Sequence, residues 1–309
     1  MSGSRAMGRF YRSPPRNRSR KLRASARKRR TPLWERFHRN CPSDNDRGGV
    51  APTFSPTNDT PMKPIILITG GSRGIGAAIA LRAADAGYAV CISYLNSQPA
   101  ADALVNSING KGGTAIALRA DVAVDGDVVR MFKQCDASLG PITALVNNAG
   151  ILEQQSRVDQ MSADRIARIF ATNVLGSFSC AREAIRRMST RHGGSGGGIV
   201  NMSSRAAKLG ASGEYVDYAA SKAAIDTFTI GLAKEVAAEG IRVNAVSPGL
   251  IYTDIHASGG EPGRVDRLQD SVPMKRGGSA DEVARAVLWL LSEDASYVTG
   301  TNVDVSGGR

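Results

Sequence analysis

The 309-residue chain is 42% hydrophobic, enough for one large core and, by length, one or two domains. Its net charge of +12 is unevenly placed: residues 1–61 hold 15 Lys and Arg against 4 Asp and Glu, and residues 62–309 hold 25 against 24. The nearly neutral body excludes a broad polyanion-binding surface and fits an enzyme acting on small molecules.

Residues 1–61 are rich in Arg, Ser and Pro and lack a sustained apolar period, so they read as a disordered basic extension. Arg29-Arg30 is not an export signal, because no apolar stretch follows it. Met62 stands directly before the first strand signal. The expectation is that Met62 is the true start or that 1–61 is dispensable. A transit segment and a basic arm for nucleic acid are the alternatives.

From Met62 onward strand and helix patterns alternate. Strands are predicted at Ile65–Thr69, Tyr88–Tyr94, Thr114–Leu118, Ile142–Val146, Ile199–Met202, Ile241–Val246 and Asn302–Val305. Helices are predicted at Ile75–Ala86, Ala100–Ile108, Val128–Ser138, Ala163–Met188 (as one long helix), Tyr215–Ala238 and Ala280–Leu291. This alternation argues an α/β domain over 62–309, a doubly wound parallel sheet with helices on both faces. The glycine run His192–Gly198 lies between a helix and the next strand, the wrong end of such a sheet for a ligand, and reads as a flexible loop. Asp254–Val272, with Gly259, Gly260 and Gly263, reads as a mobile lid.

No apolar run approaches the roughly 20 residues of a membrane span. The cysteines Cys41, Cys91, Cys135 and Cys180 and the three scattered histidines have no metal-ligand spacing, so no metal is expected. A reduced, cytoplasmic protein is the simplest fit.

Two motifs carry chemistry. Thr69-Gly70-Gly71-Ser72-Arg73-Gly74-Ile75-Gly76 joins a strand to a helix. Glycines there let backbone amides approach a pyrophosphate seated on the helix N-terminus. Sites for NAD(H) usually carry an acid about 20 residues further on, at the ribose 2′-hydroxyl. Here Ile92–Gln98 has none, offering Tyr94, Asn96 and Ser97, and Arg73 supplies a cation suited to a 2′-phosphate. NADP(H) is therefore expected in preference to NAD(H). The second motif, Tyr218-Ala219-Ala220-Ser221-Lys222, places a phenol and an amine on one helix face. An ammonium beside a phenol favours the phenolate and makes it a usable acid and base.

Together with Asp121-Val122, Asn147-Asn148-Ala149-Gly150, Asn173, Ser203-Ser204 and Ser247-Pro248-Gly249 with Thr253, these motifs resemble the short-chain dehydrogenase/reductase family. The matches run in the family's order from Thr69 to Thr253. Gly213–Lys222 and Ile255–Arg264 are further similar to uncharacterised bacterial members sometimes labelled glucose dehydrogenase. The resemblance implies a Rossmann-like fold and an NADP(H)-dependent alcohol dehydrogenase or carbonyl reductase, interconverting a carbonyl and a secondary alcohol. It implies Tyr218 as acid/base, Lys222 lowering its pKa, Asn173 anchoring a water, and Ser204, with Ser203 as alternative, on the substrate oxygen. Cofactor contacts are implied at Gly70, Ser72, Arg73, Gly74, Ile75 and Gly76, at Tyr94, Asn96 and Ser97, and at Asp121 and Val122. Further contacts are implied at Asn148, Ala149 and Gly150, at Tyr218 and Lys222, and at Pro248, Gly249, Ile251 and Thr253. A small-molecule carbonyl or alcohol is the implied partner, in a homo-oligomer, most simply a homotetramer, with no membrane or nucleic-acid partner. The competing expectation is a catalytically silent NADP(H)-sensing binding protein on the same fold.

Overall fold

The computed structural model describes residues 63–309. The expected boundary at Met62 and the expected disorder of 1–61 lie outside the described residues. The first half runs β1 (Ile65–Ile68), α1 (Gly74–Asp85), β2 (Ala89–Tyr94), α2 (Gln98–Gly110), β3 (Thr114–Arg119), α3 (Asp125–Ser138) and β4 (Ala144–Asn147). Next come α4 (Ala163–Phe170), α5 (Gly176–Met188), β5 (Gly197–Met202), α6 (Ala206–Leu209), α7 (Val216–Val236) and β6 (Ile241–Pro248). The chain closes through α8 (Ile255–Ser258), α9 (Arg264–Leu268), α10 (Ala280–Leu291) and β7 (Asn302–Val305).

The seven strands form one sheet in the order β3-β2-β1-β4-β5-β6-β7, and every pair is parallel. Parallel strands buried on both faces read as continuous apolar runs, and β1 (Ile65-Ile66-Leu67-Ile68) is fully buried along its length. Alternate residues feed opposite layers. Ile65 and Leu67 pack with Phe132 of α3, Ala184 of α5 and Leu232 of α7. Ile66 and Ile68 pack with Ile79 of α1, Ile108 of α2 and Val287 of α10. Cys91, Cys135 and Cys180 are free and buried in these layers, as small hydrophobes. A capping box starts α10: Ser279 Oγ accepts from the Glu282 amide at 3.2 Å, and the Glu282 carboxylate accepts from the Ser279 amide at 2.8 Å. Among the described residues no helix is long and apolar enough to cross a membrane.

The structure departs from the predicted elements in two places. The single helix expected over Ala163–Met188 is interrupted by a π turn at Ala171–Leu175. One extra residue in a turn leaves the apolar period on either side intact, so pattern alone does not reveal it; such bulges cluster at functional sites. The glycine run before β5 is a packed corner rather than an open, flexible loop. The Gly194 and Gly196 amides donate to Ser189 O at 2.9 Å and Met188 O at 2.7 Å. A Cβ on Gly196 would stand 2.5 Å from Gly240 O, so the glycines there permit close backbone approach.

Candidate active site

The strand order reverses at β1, which lies between β2 and β4, and the carboxyl ends of the strands open a crevice at that switch point. The Thr69–Arg73 turn closes one side of it. Gly70 (φ +61°) and Gly74 (φ +55°) take the left-handed conformation that side chains disfavour. A Cβ on Gly76 would stand 2.6 Å from both Asn148 Nδ2 and Gly70 O. Asn148 Nδ2 donates to Thr69 O and Gly70 O at 2.9 Å, and the amides of Asn148 and Ala149 donate to Thr69 Oγ1 at 3.0 Å. The Gly71 amide donates to Ser93 O at 2.9 Å. The turn is thus strapped to β2 and β4. Helix α1 begins at Gly74 with no side-chain cap and no acid in its first turn, a start suited to an anion.

A cavity of about 520 Å³ opens against this turn. The structure brings to it Gly70, Ser72, Arg73, Gly74, Ile75 and Gly76 from the turn, Tyr94, Asn96 and Ser97 after β2, and Asp121 and Val122 after β3. Asn148, Ala149 and Gly150 after β4 and Thr253 after β6 complete the expected set on this side. Arg73 is exposed and, among the described residues, has no ion-pair partner. Asp121 Oδ1 is engaged by the Ala123 amide at 2.9 Å.

A second cavity, about 200 Å³, shares Ile75, Asn148, Gly150 and Thr253 with the first. Ser203, Ser204, Tyr218, Lys222, Pro248, Gly249 and Ile251 line it. Tyr218 lies in the first turns of α7, whose amino end is pinned by a buried ion pair: Arg165 Nε of α4 meets Asp217 Oδ2 at 2.7 Å, and Arg165 Nη1 donates to Gln154 O at 2.6 Å. Lys222 is one turn further along and only 4% exposed. Its Nζ donates to Met202 O at 2.7 Å and lies 5.7 Å from the Tyr218 ring centroid. Burial lowers Lys222 to about 8, with Asp226 opposing. Burial also raises the Tyr218 phenol above its ordinary value, opposed by the side chain of Ser204. Here the Lys222 ammonium donates to a main-chain carbonyl, and burial is the larger influence on the phenol.

The two serines part company. Ser203 is buried, with Oγ donating to Lys222 O at 3.3 Å, whereas Ser204 faces Tyr218. Between Ser204 and Tyr218 the chain runs through α6 and a turn in which Gly210 (φ +78°), Ala211 (φ +46°) and Gly213 (φ +74°) take positive φ. Asn173, 1% exposed, occupies the π turn. Its Nδ2 donates to Ile151 O at 3.1 Å and Ser221 Oγ at 3.0 Å, and its Oδ1 accepts from the Ile151 amide at 2.8 Å. The side chain therefore ties the loop after β4 to α7, and Ser177 Oγ donates to the Asn173 main-chain oxygen at 3.0 Å.

Sequence reasoning missed Tyr215, His256, Arg264 and Arg309, which also line the second cavity. Within the expected lid, Asp254–Val272, the chain forms two short helices, α8 and α9, with ion pairs at α9. Arg264, 9% exposed, binds Glu214 and meets Glu261 at 2.7 Å, and its guanidinium lies 5.2 Å from the Tyr215 ring centroid. Tyr215 Oη donates to Gly259 O at 3.1 Å. Arg309 comes from a position without any motif, and Arg264 ends the Ile255–Arg264 segment, whose resemblance gave it no role.

A parallel sheet reversing at a glycine turn, with Tyr218, Lys222 and Ser204 beside it, defines a nucleotide-dependent oxidoreductase architecture. The chain belongs to the short-chain dehydrogenase/reductase family, and its activity is oxidoreduction. A family model described as enoyl-(acyl carrier protein) reductase matches residues 70–309. The chain is 57% identical over 245 residues to the uncharacterized oxidoreductase YgfF of Escherichia coli K12, covering 79% of this chain and 99% of that protein. Among solved structures it resembles a short-chain dehydrogenase from Burkholderia cenocepacia in complex with NADP (34% identity, TM-score 0.73, 79% of this chain and 97% of that one). It also resembles a 3-ketoacyl-(acyl-carrier-protein) reductase from Brucella melitensis complexed with NADH (30% identity, TM-score 0.74, 80% and 98%).

Proposed function

We propose that this chain is an NADP(H)-dependent oxidoreductase that interconverts a carbonyl and a secondary alcohol, with Tyr218 as the acid and base. The observation that carries this reading is the meeting of the two cavities at Gly150 and Thr253, with Ser204, Tyr218 and Lys222 on one side and the glycine turn on the other. The first cavity suits a dinucleotide. The open start of α1 and the glycines fit a pyrophosphate, and Arg73 with no acid between Tyr94 and Ser97 fits a 2′-phosphate. The relatives point both ways on this choice, one being a complex with NADP and one with NADH.

A dinucleotide held in the first cavity would supply or accept the hydride at the carbonyl carbon. As that carbon gains a C–H bond its oxygen takes on negative charge. The Ser204 hydroxyl donates a hydrogen bond to that oxygen, and the Tyr218 phenol gives it a proton, forming the O–H bond of the alcohol. The raised phenol keeps its proton near neutrality until the charge develops. Oxidation of the alcohol runs these steps in reverse. Lys222 and Asn173 hold α7 and the loop after β4 in place, through Met202 O, Ile151 and Ser221.

The test is Tyr218→Phe, which removes the proton donor and leaves the ring. Turnover of a carbonyl panel with NADPH should fall by about 10²–10⁴-fold while NADPH affinity holds. A residual rate above about a tenth of wild type would place the acid elsewhere. Assembly as a homotetramer belongs to the same proposal. Its support is exposed apolar surface on the outer layer, where Leu175 is 61% exposed and Phe178, 47% exposed, stacks on Phe228. Light scattering at micromolar concentration checks it, and a monomer would refute it.

A further inference from the structure

Three arginines line the cavity beside Tyr218: Arg205, Arg264 and Arg309. Two have their charge matched. Arg205 Nη1 meets Asp304 at 2.6 Å, and Arg264 is held between Glu214 and Glu261. Arg309 is half-buried and, among the described residues, has no carboxylate within ion-pair distance. Its main chain is fixed: the Arg309 oxygen accepts from Arg205 Nε at 2.6 Å and Ser306 Oγ at 3.2 Å. Burial and the neighbouring Arg264 push the Arg309 guanidinium below its ordinary value, against a smaller opposing pull from Glu214. A partly desolvated guanidinium with no carboxylate paired to it gains from an anionic ligand. His256, another residue of the wall, holds an unmatched polar atom beneath the surface. His256 Nε2 lies 2.9 Å from Ile251 O, and the buried Nδ1 has no partner. Burial keeps this imidazole neutral, so with the proton assigned to Nε2 the Nδ1 lone pair accepts a hydrogen bond.

We infer that the substrate of this cavity is a carbonyl compound carrying an anionic group, a carboxylate or a phosphate, which pairs with the Arg309 guanidinium. This rests on the reading of the cavity as the carbonyl site. The guanidinium fork suits both anions, and its charge favours either over an uncharged analogue. Leu209, Leu250 and Ile255 supply an apolar stretch of wall for the body of such a molecule.

The experiment compares two pairs of probes on the full chain with NADPH: levulinate against methyl levulinate, and hydroxyacetone phosphate against hydroxyacetone. Binding is read by calorimetry and turnover by kcat and KM. Wild type should favour the charged member of at least one pair by about tenfold or more, the scale of a charge-assisted hydrogen bond, and that pair names the anion. In Arg309→Gln the ratio should fall toward one, through KM rather than kcat, and Arg309→Lys should restore part of it. Equal handling of charged and neutral members by wild type, or an undiminished ratio in Arg309→Gln, overturns the inference. Tight anion binding lost in Arg309→Gln with no turnover of any probe would uphold the anion site and count against the carbonyl reaction. Turnover of the neutral members at the efficiency of the charged ones would do the opposite.

Discussion

The cleft beside the glycine turn is built from backbone and short polar side chains, whereas the cavity beside Tyr218 is walled by long charged side chains. In the cleft, Thr69, Ser93 and Asn148 bond main-chain atoms through short side chains, and the glycines leave room for nothing larger. In the cavity, Arg264 reaches to Glu214, fifty positions away, and Arg309 arrives from beyond the last strand. A backbone site holds one shape and one kind of ligand. A side-chain site on the same scaffold is free to change its ligand by exchanging a few residues, so the first region serves a common cofactor and the second sets the substrate.

The largest effect that would sharpen this contrast comes from a long side chain in the glycine turn itself. Arg73→Glu replaces the exposed cation of the turn by an anion. Affinity for NADPH should fall by about 10–100-fold, the worth of a charge-assisted contact, while NADH is nearly unaffected. Cofactor titration by fluorescence measures both. Equal losses for the two cofactors would mean that Arg73 supports the turn rather than reading a phosphate.

Next in size is a pair of glycines, one from each region. Gly76→Ala puts a methyl group 2.6 Å from Gly70 O and 2.9 Å from Gly71 Cα, both backbone atoms. Overpacking of this kind costs about 1–3 kcal/mol and should lower the melting temperature together with cofactor affinity. Gly263→Ala, before α9, meets nothing within 4 Å and keeps an ordinary φ of −85°. It should stay within about 0.5 kcal/mol of wild type. Thermal melts of the two variants decide it, and equal shifts would erase the distinction between the regions.

The same contrast explains what was legible beforehand. Strand and helix identity followed from apolar periodicity, and the layers observed match it: β1 is buried throughout, and Ile79 and Ala83 of α1 and Val283, Val287 and Leu290 of α10 pack in one layer with it. The cleft was legible because a glycine at positive φ, or one against backbone, leaves a mark in the sequence that few other residues satisfy. The π turn at Asn173 was not, since one added residue preserves the amphipathic stripe. Neither was the pinning of Asp254–Val272, where glycines suggested a mobile segment. The contacts that hold it, Arg264 with Glu214 and Tyr215 Oη with Gly259 O, join residues 44 and 50 positions apart and leave no local pattern. Tyr218 and Lys222 were legible as a pair, but the effect of burial on each was not, because desolvation depends on what the rest of the chain packs over them.

The smallest effect tests how firmly those distant contacts hold the substrate side. The Glu261 carboxylate accepts from Gln155 Nε2 at 2.8 Å and Arg264 Nη1 at 2.7 Å and also binds Arg267, joining the loop after β4 to α9. Burial raises its pKa, but Arg264 and Arg267 together outweigh that and hold it below the ordinary value. The folded protein therefore binds this proton less readily than the unfolded chain. The stabilisation is present above the ordinary glutamate range, near pH 4.5, and is lost as pH falls through the lower folded value. Partly exposed ion pairs contribute about 0.2–1 kcal/mol each, so Glu261→Gln should raise amide exchange across Ile255–Leu268 by only a few-fold at neutral pH. Near pH 4 and below, the difference between variant and wild type should shrink as Glu261 itself protonates. Exchange unchanged at pH 7, or a difference that grows on acidification, would show that α8 and α9 are held by their apolar contacts, Val265 and Leu268 against Leu250 and Val272, and not by charge.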